Sequence, residues 1–204
     1  NTTREVLTGW GRTAPTAARV VAARDDLEVV SALESADVRG VIARGLGRGY
    51  GDCAQNAGGL VLDGPANAGI TDIDLPGALV TAKAGTSLHE LMERLVPLGL
   101  FVPVTPGTRM VTIGGAIGAD IHGKNHHQAG SWCEHLESIR LLDGSGEVRV
   151  VSPTQEPEVF WATAGGMGLT GVVLDATIRM KRITSSRIMV DTDRARDLDA
   201  VMSL

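Results

Sequence analysis

The stretch from Val41 to Gly59, VIARGLGRGYGDCAQNAGG, decides how this chain is read. Six of its nineteen residues are glycine, and they follow directly on a short apolar run. Glycine costs backbone entropy on folding, so such a cluster marks positive-φ turns or a backbone pressed against something bulky. A Walker-type phosphate loop needs Gly-Lys-Ser/Thr at its end, and none follows here. A dinucleotide fingerprint needs Gly-x-Gly-x-x-Gly opening a helix. Gly45-Leu-Gly47-Arg-Gly49-Tyr-Gly51 has the wrong spacing, and DCAQNAGG has no helical apolar period. Two readings remain: an anion nest of successive backbone N–H groups that admits a diphosphate, or a flexible surface connector. Arg48 adds charge to the loop without specificity.

The rest of the chain narrows the class. With 204 residues, 43% of them hydrophobic, it can bury a real core as one large domain or two small lobes. The formal charge is −5 with both signs interspersed, which gives no basic footprint for nucleic acid. No apolar run reaches the roughly 18 residues of a membrane span, and the N-terminus lacks a signal-peptide pattern. Cys53 and Cys133 are too few for a disulfide framework. The 26 glycines stand well above the usual share of about 7%, and aromatics at 3% leave an aliphatic core.

Periodicity gives a mixed order of elements. LTGWGRTAPTA is a turn-rich arm, ARVVAA a short strand, and DDLEVVSALESAD a helix capped by Asp25 or Asp26 with Leu27, Val30 and Leu33 on one face. GVIAR, GLVLD and GALVTAKAG read as strands. SLHELMERLV is a helix announced by Ser87 and Glu90, a capping box, and stopped by Pro97 and Gly99. SIRLLDGSGEVRVV is a hairpin, PEVFWATAG a short helix, and TGVVLDATIRM a strand. Trp132, Phe160 and Trp161 read as core anchors. Strand-helix units mixed with hairpins make the fold α+β. At the end, TSSRIMVDTDRARDLDAVMSL holds a strand-like run and then a new helix pattern, as the start of a second domain would.

A second glycine-dense segment favours the nest. Thr105–His127, TPGTRMVTIGGAIGADIHGKNHH, is too apolar for an exposed loop. Two such stretches far apart in sequence suit one large, flat, phosphate-bearing cofactor. Asp120, His122, His126 and His127 offer a metal cluster instead, but no second ligand-rich segment supports it and Gly123 breaks the helix that His-x-x-x-His needs. No metal is expected.

ARGLGRGYGD, GTRMVTIGGAIGADIHGKNHH and FWATAGGMGLTGVV (160–173) together resemble the FAD domain of the vanillyl-alcohol-oxidase class of flavoproteins. The resemblance runs from about Leu7 to Ile183 and is strongest toward members acting in arabinan synthesis. It implies a two-lobed FAD-binding domain over residues 1–183, divided near 105–110, with a substrate domain beginning at 184–204 and carrying further catalytic groups beyond residue 204. Ala43, Arg44, Gly45, Leu46, Gly47 and Arg48, then Gly49, Tyr50, Gly51, Asp52 and Cys53, would wrap the diphosphate. Gly107, Thr112, Ile113, Gly114 and Gly115, then Ala119, Asp120, Ile121 and His122, would lie along the ribityl chain and isoalloxazine. Val173 would approach the adenine side. Relatives that attach FAD covalently use a histidine in the first loop; here Arg48 takes that place, so FAD should be held non-covalently. Cys53 and Met167 depart from the asparagines expected there.

His122 and Lys124 are the expected catalytic residues, His122 aimed from a tight turn at flavin or substrate and Lys124 toward a substrate phosphate. The implied reaction is FAD-dependent oxidation of the 2'-hydroxyl of a polyprenyl-phosphate-linked pentose, the hydride going to the cofactor and a partner keto-reductase completing an epimerisation. Another sugar or alditol oxidase, or a non-catalytic flavin-binding module, are the alternatives. The lipid-linked substrate implies work at the cytoplasmic or periplasmic face of the cell envelope, with peripheral membrane contact.

Overall fold

Leu60, Val61 and Leu62 are buried on alternate faces of one strand, and the first lobe is built around it. The computed structural model describes residues 2–204. Strands β1 (Thr2–Leu7), β2 (Thr16–Val21), β3 (Val41–Arg44) and β4 (Leu60–Asp63) form a sheet in the order β1-β2-β4-β3. β4 is parallel to both β2 and β3, and β1 is antiparallel to β2. Leu60 and Leu62 point toward helix α1 (Asp26–Glu34), meeting Val29 and Ala32, while Val61 packs with Ala18 and Ile42 on the other face. This two-sided burial explains the continuous apolar run GLVL: a central parallel strand shows no alternation.

Helix α1 starts where Asp25 accepts a hydrogen bond from the Glu28 N–H at 2.8 Å, a cap worth about 1 kcal/mol. Its inward face is centred on Val29 and Ala32, with Val30 and Leu33 flanking. Leu27, expected on that face, is 81% exposed.

The second sheet is wholly antiparallel. It comprises β5 (Ile70–Asp74), β6 (Leu79–Lys83), β8 (Leu136–Leu142), β9 (Val148–Val151) and β10 (Val172–Arg179), in the order β5-β6-β10-β8-β9. Between β6 and β8 lie α2 (Leu88–Leu95), β7 (Leu100–Phe101), α3 (Ile113–Gly118) and α4 (His126–Ala129). Helix α5 (Pro157–Thr163) precedes β10, and β11 (Lys181–Arg182) pairs with β7. The capping box on α2 is formed: Glu90 N–H donates to Ser87 Oγ at 3.1 Å and Ser87 N–H to Glu90 Oε2 at 2.7 Å. Leu88, Leu91 and Leu95 of that helix are fully buried with Trp132, Ile139 and Phe160. Trp161, expected among the core anchors, is 48% exposed on the outer side of α5. The Asp143-Gly-Ser-Gly146 turn closes β8 and β9, its carboxylate accepting from the Ser145 and Glu147 N–H groups.

The architecture is α+β, as the mixture of patterns implied, with three differences in position. The two sheets part at residues 64–69, upstream of the expected division near 105–110, because β5 and β6 join the second sheet rather than the first. β5 had no clear signal, since ITDID carries only two apolar residues. The strand-like run at Ile188–Val190 is exposed and forms no strand, while α6 (Leu198–Met202) takes up the helix pattern. Among the described residues no helix is long and apolar enough to cross a membrane.

A four-member ion network ties the lobes. Asp26 at the start of α1 accepts from Lys83 Nζ at 2.9 Å and from Arg140 Nη2 at 3.0 Å. Asp175 on β10 accepts from the same two cations at 3.3 and 2.5 Å. Burial pushes the Asp26 carboxyl up, but Lys83 and Arg140 outweigh it and hold it below its ordinary value. Burial pulls Lys83 down, and Asp26 and Asp175 more than restore it, leaving it raised. A depressed acid contributes stability above its unfolded pKa, lost as pH falls through the folded one; a raised lysine contributes below its unfolded pKa, lost only at high pH. Asp26→Asn should therefore cost about 1–2 kcal/mol near pH 7, with the penalty shrinking below about pH 4. Thermal melts of both proteins at pH 3 and pH 7 check this; an equal loss at both values would show that the carboxylate charge is not what matters.

Candidate functional site

Between the two sheets lies a cavity of about 400 Å³, within the roughly 300–1,000 Å³ typical of small-molecule sites. Its walls come from both lobes. The end of β3 and the loop after it supply Ala43–Gly51 with Cys53 and Ala54, and the end of β4 adds Leu62–Gly64. From the second lobe come Ala84–Gly85 behind β6, the segment around α3, and Val172–Leu174 at the start of β10. Ala23 and Val29 extend the apolar wall from the α1 side.

The first loop is shaped to present its N–H groups. Among the described residues, none of the backbone N–H groups of Leu46–Gly51 donates to another protein backbone group. The carbonyls, by contrast, are engaged from outside: Gly49 O accepts from Trp10 N–H at 2.7 Å and Tyr50 O from Gly11 N–H at 3.2 Å. Carbonyls turned away and N–H groups left free are what an anion nest requires. Gly47 holds φ +66°, and a Cβ there would strike the Arg44 guanidinium. Gly45 sits against Thr112, where a Cβ would collide with the threonine Oγ1. The two glycine-dense stretches thus pack on each other as well as around the cavity.

Both cations on this stretch line the cavity and are also held by protein groups. Arg44 donates through Nη2 to Thr8 O at 2.6 Å and through Nη1 to Ala54 O at 3.2 Å. The Arg48 guanidinium lies 4.7 Å over the Trp10 ring, a contact worth about 0.5–1 kcal/mol at exposed sites.

Of the other residues expected at the cofactor, Thr112, Gly114, Gly115, Ala119, Ile121 and Val173 are on the wall. Six lie off it. Asp52 is exposed in a turn whose carbonyl accepts from Gln55 N–H at 2.9 Å. Gly107 is exposed, and Ile113 is fully buried in the core as the first residue of α3. The Asp120 carboxylate turns to the Cys133 backbone N–H at 2.9 Å. His122 and Lys124 are both exposed. His122 follows the wall residue Ile121, bridges to Ser131, and has its ring 5.7 Å from that of His126. Among the described residues no group of three or more His, Cys, Asp or Glu is placed to hold a metal ion.

Several wall residues were not foreseen. Asp63, Gly64 and Gly85 sit at strand ends, where a small residue or carboxylate after an apolar run was the available signal. Burial, and then Glu5, push the Asp63 carboxyl above its ordinary value against the pull of Arg44. Thr163 ends α5, and Met167, Gly168 and Gly171 come from the connection to β10; all four lie in the FWATAGGMGLTGVV stretch that carried the resemblance, but none had an assigned contact. Cys133 is buried, and burial together with Asp120 pushes its thiol far up, leaving it inert.

The family described as FAD binding domain matches residues 17–152. Over 99% of its length the chain is 52% identical to the decaprenylphosphoryl-beta-D-ribose oxidase of Mycolicibacterium smegmatis, covering 45% of that protein. It is 26% identical to the FAD-linked oxidoreductase tazG of Aspergillus terreus, over 87% of this chain and 36% of that one. It is 29% identical to L-gulonolactone oxidase 5 of Arabidopsis thaliana, over 53% of this chain and 20% of that one. The chain spans less than half the length of these curated relatives.

Proposed function

Because the chain belongs to the FAD binding domain family, we propose that it forms the cofactor-holding part of an oxidoreductase that oxidises the 2'-hydroxyl of a polyprenyl-phosphate-linked ribose to the 2'-keto sugar. The observation that carries this reading is the interlobe cavity with its row of free loop N–H groups. FAD fits these residues: the nest suits a diphosphate, the glycines admit it without a Cβ, and apolar walls at Val29, Leu62, Val173 and Leu174 suit flat rings. The likeness to the mycobacterial oxidase along nearly the whole chain supports the substrate class.

When bound, FAD supplies the hydride acceptor for the sugar C2'. The chain's own share is binding, orientation and proton handling. Backbone N–H groups of the first loop hold the diphosphate, and no histidine there offers a covalent link, so the cofactor is held non-covalently. The imidazole of His122, exposed and next in sequence to the wall residue Ile121, takes the 2'-hydroxyl proton in this reading; Lys124, also open to solvent, neutralises the substrate phosphate. Residues 184–204 open a substrate domain that closes over the sugar and excludes water. A separate keto-reductase consumes the keto sugar, and the lipid tail brings the enzyme to the cell envelope.

The test is anaerobic mixing of the full-length flavoprotein with polyprenylphosphoryl ribose. The flavin absorbance should bleach with the ribose compound and stay unchanged with its 2'-deoxy analogue. Equal bleaching by both, or by neither, contradicts the assignment.

A further inference from the structure

Arg44 carries a full charge beneath the first glycine loop, yet no carboxylate pairs with it within hydrogen-bond distance among the described residues. Its planar fork instead reaches two backbone carbonyls from different segments of the chain. Ala54 O closes the loop's far end, and Thr8 O belongs to the segment between β1 and β2. Gly47 rests directly on the guanidinium, since a Cβ there would meet Nη2 and approach Cζ at 3.0 Å. The loop is therefore wound around one side chain. The same segment that receives Arg44 also grips the loop from outside. Trp10 and Gly11 N–H groups donate to Gly49 O and Tyr50 O, Trp10 lies under Arg48, and Gly9 is packed against Gly51 O so tightly that a Cβ has no room.

Every one of these contacts consumes a carbonyl or a cation of the loop, and none consumes an N–H. We propose that Thr8–Gly11 and the Arg44 guanidinium form a brace that pre-shapes the phosphate loop, with Arg44 a positioning residue that acts through the backbone rather than a ligand of the phosphates. The proposal rests on the reading of the cavity as the FAD site. Its physical content is pre-organisation: the cost of ordering a glycine-rich loop is met before the cofactor arrives, and shows as affinity. The residues of the brace outside the cavity wall, Thr8 to Gly11, then matter for binding without touching the ligand.

The test uses apoprotein titrated with FAD, followed by quenching of FAD fluorescence, beside thermal melts without FAD. The variants are Gly9→Ala, which pushes the segment off Gly51, and Arg44→Lys, which keeps the charge but loses the two-pronged donor. Both should weaken FAD binding by roughly ten- to a hundredfold while the apoprotein melt stays nearly unchanged. Arg44→Met should match Arg44→Lys. Full affinity in Gly9→Ala, or full affinity in Arg44→Lys with loss only in Arg44→Met, overturns the brace and makes Arg44 a charge alone. Affinity and apo melt falling together in both variants also overturns it, since the segment is then a general stabiliser. Wild-type protein that fails to take up FAD refutes the reading of the site itself, a result distinct from all of these.

Discussion

Gly47→Val is expected to weaken FAD binding by roughly thirty- to a hundredfold, the equivalent of about 2–3 kcal/mol for forcing a branched residue into a left-handed conformation. The backbone at Gly47 holds φ +66°, a region that β-branched side chains avoid. Relief by moving to negative φ would swing the neighbouring N–H groups out of the nest. Relief by moving the Arg44 guanidinium would break its bonds to Thr8 and Ala54. Both routes damage the same thing, the direction in which the loop N–H groups point. Global folding should suffer much less, because the loop contributes no residue to the main core cluster. Equilibrium titration with FAD and an apo melt check the two halves. Normal affinity would mean that the loop is a connector and no nest.

His122→Ala in the full-length enzyme should slow flavin reduction by the ribose substrate by roughly ten- to a thousandfold, the scale of losing one proton-transfer group or one transition-state hydrogen bond. The side chain is exposed and its neighbour Ile121 is on the cavity wall, so the imidazole is accessible to a substrate that approaches the open side. Among the described residues no hydrogen bond of its side chain is buried, and the His122–Ser131 bridge is backbone. Apo stability should therefore hardly change. Stopped-flow reduction beside an apo melt separates the roles: an unaltered rate would remove His122 from the chemistry.

The strands and helices with strong local signals were legible in the sequence. Asp25, the Ser87/Glu90 box and the Asp143-Gly-Ser-Gly turn act within a few residues of themselves, so their chemistry shows without tertiary context. ITDID was not legible, because β5 is an edge strand that buries little. The lobe boundary was misplaced for a related reason: which sheet β6 joins is decided by its pairing with β10, nearly a hundred residues away. For the site, glycine density located two of the segments that line the cavity. It could not reveal that Arg44 braces the loop from beneath, or that Asp120 serves Cys133, since both depend on where one side chain turns. Gly64 and Gly85 escaped because each is a lone glycine at a strand end.

The most direct measurement is the visible spectrum of the purified protein, followed by acid precipitation. The predicted result is a flavin spectrum whose entire yellow colour passes to the supernatant, where it is identified as intact FAD. Protein without flavin, or colour that stays with the pellet, would contradict a non-covalent FAD site in the cavity between the two sheets.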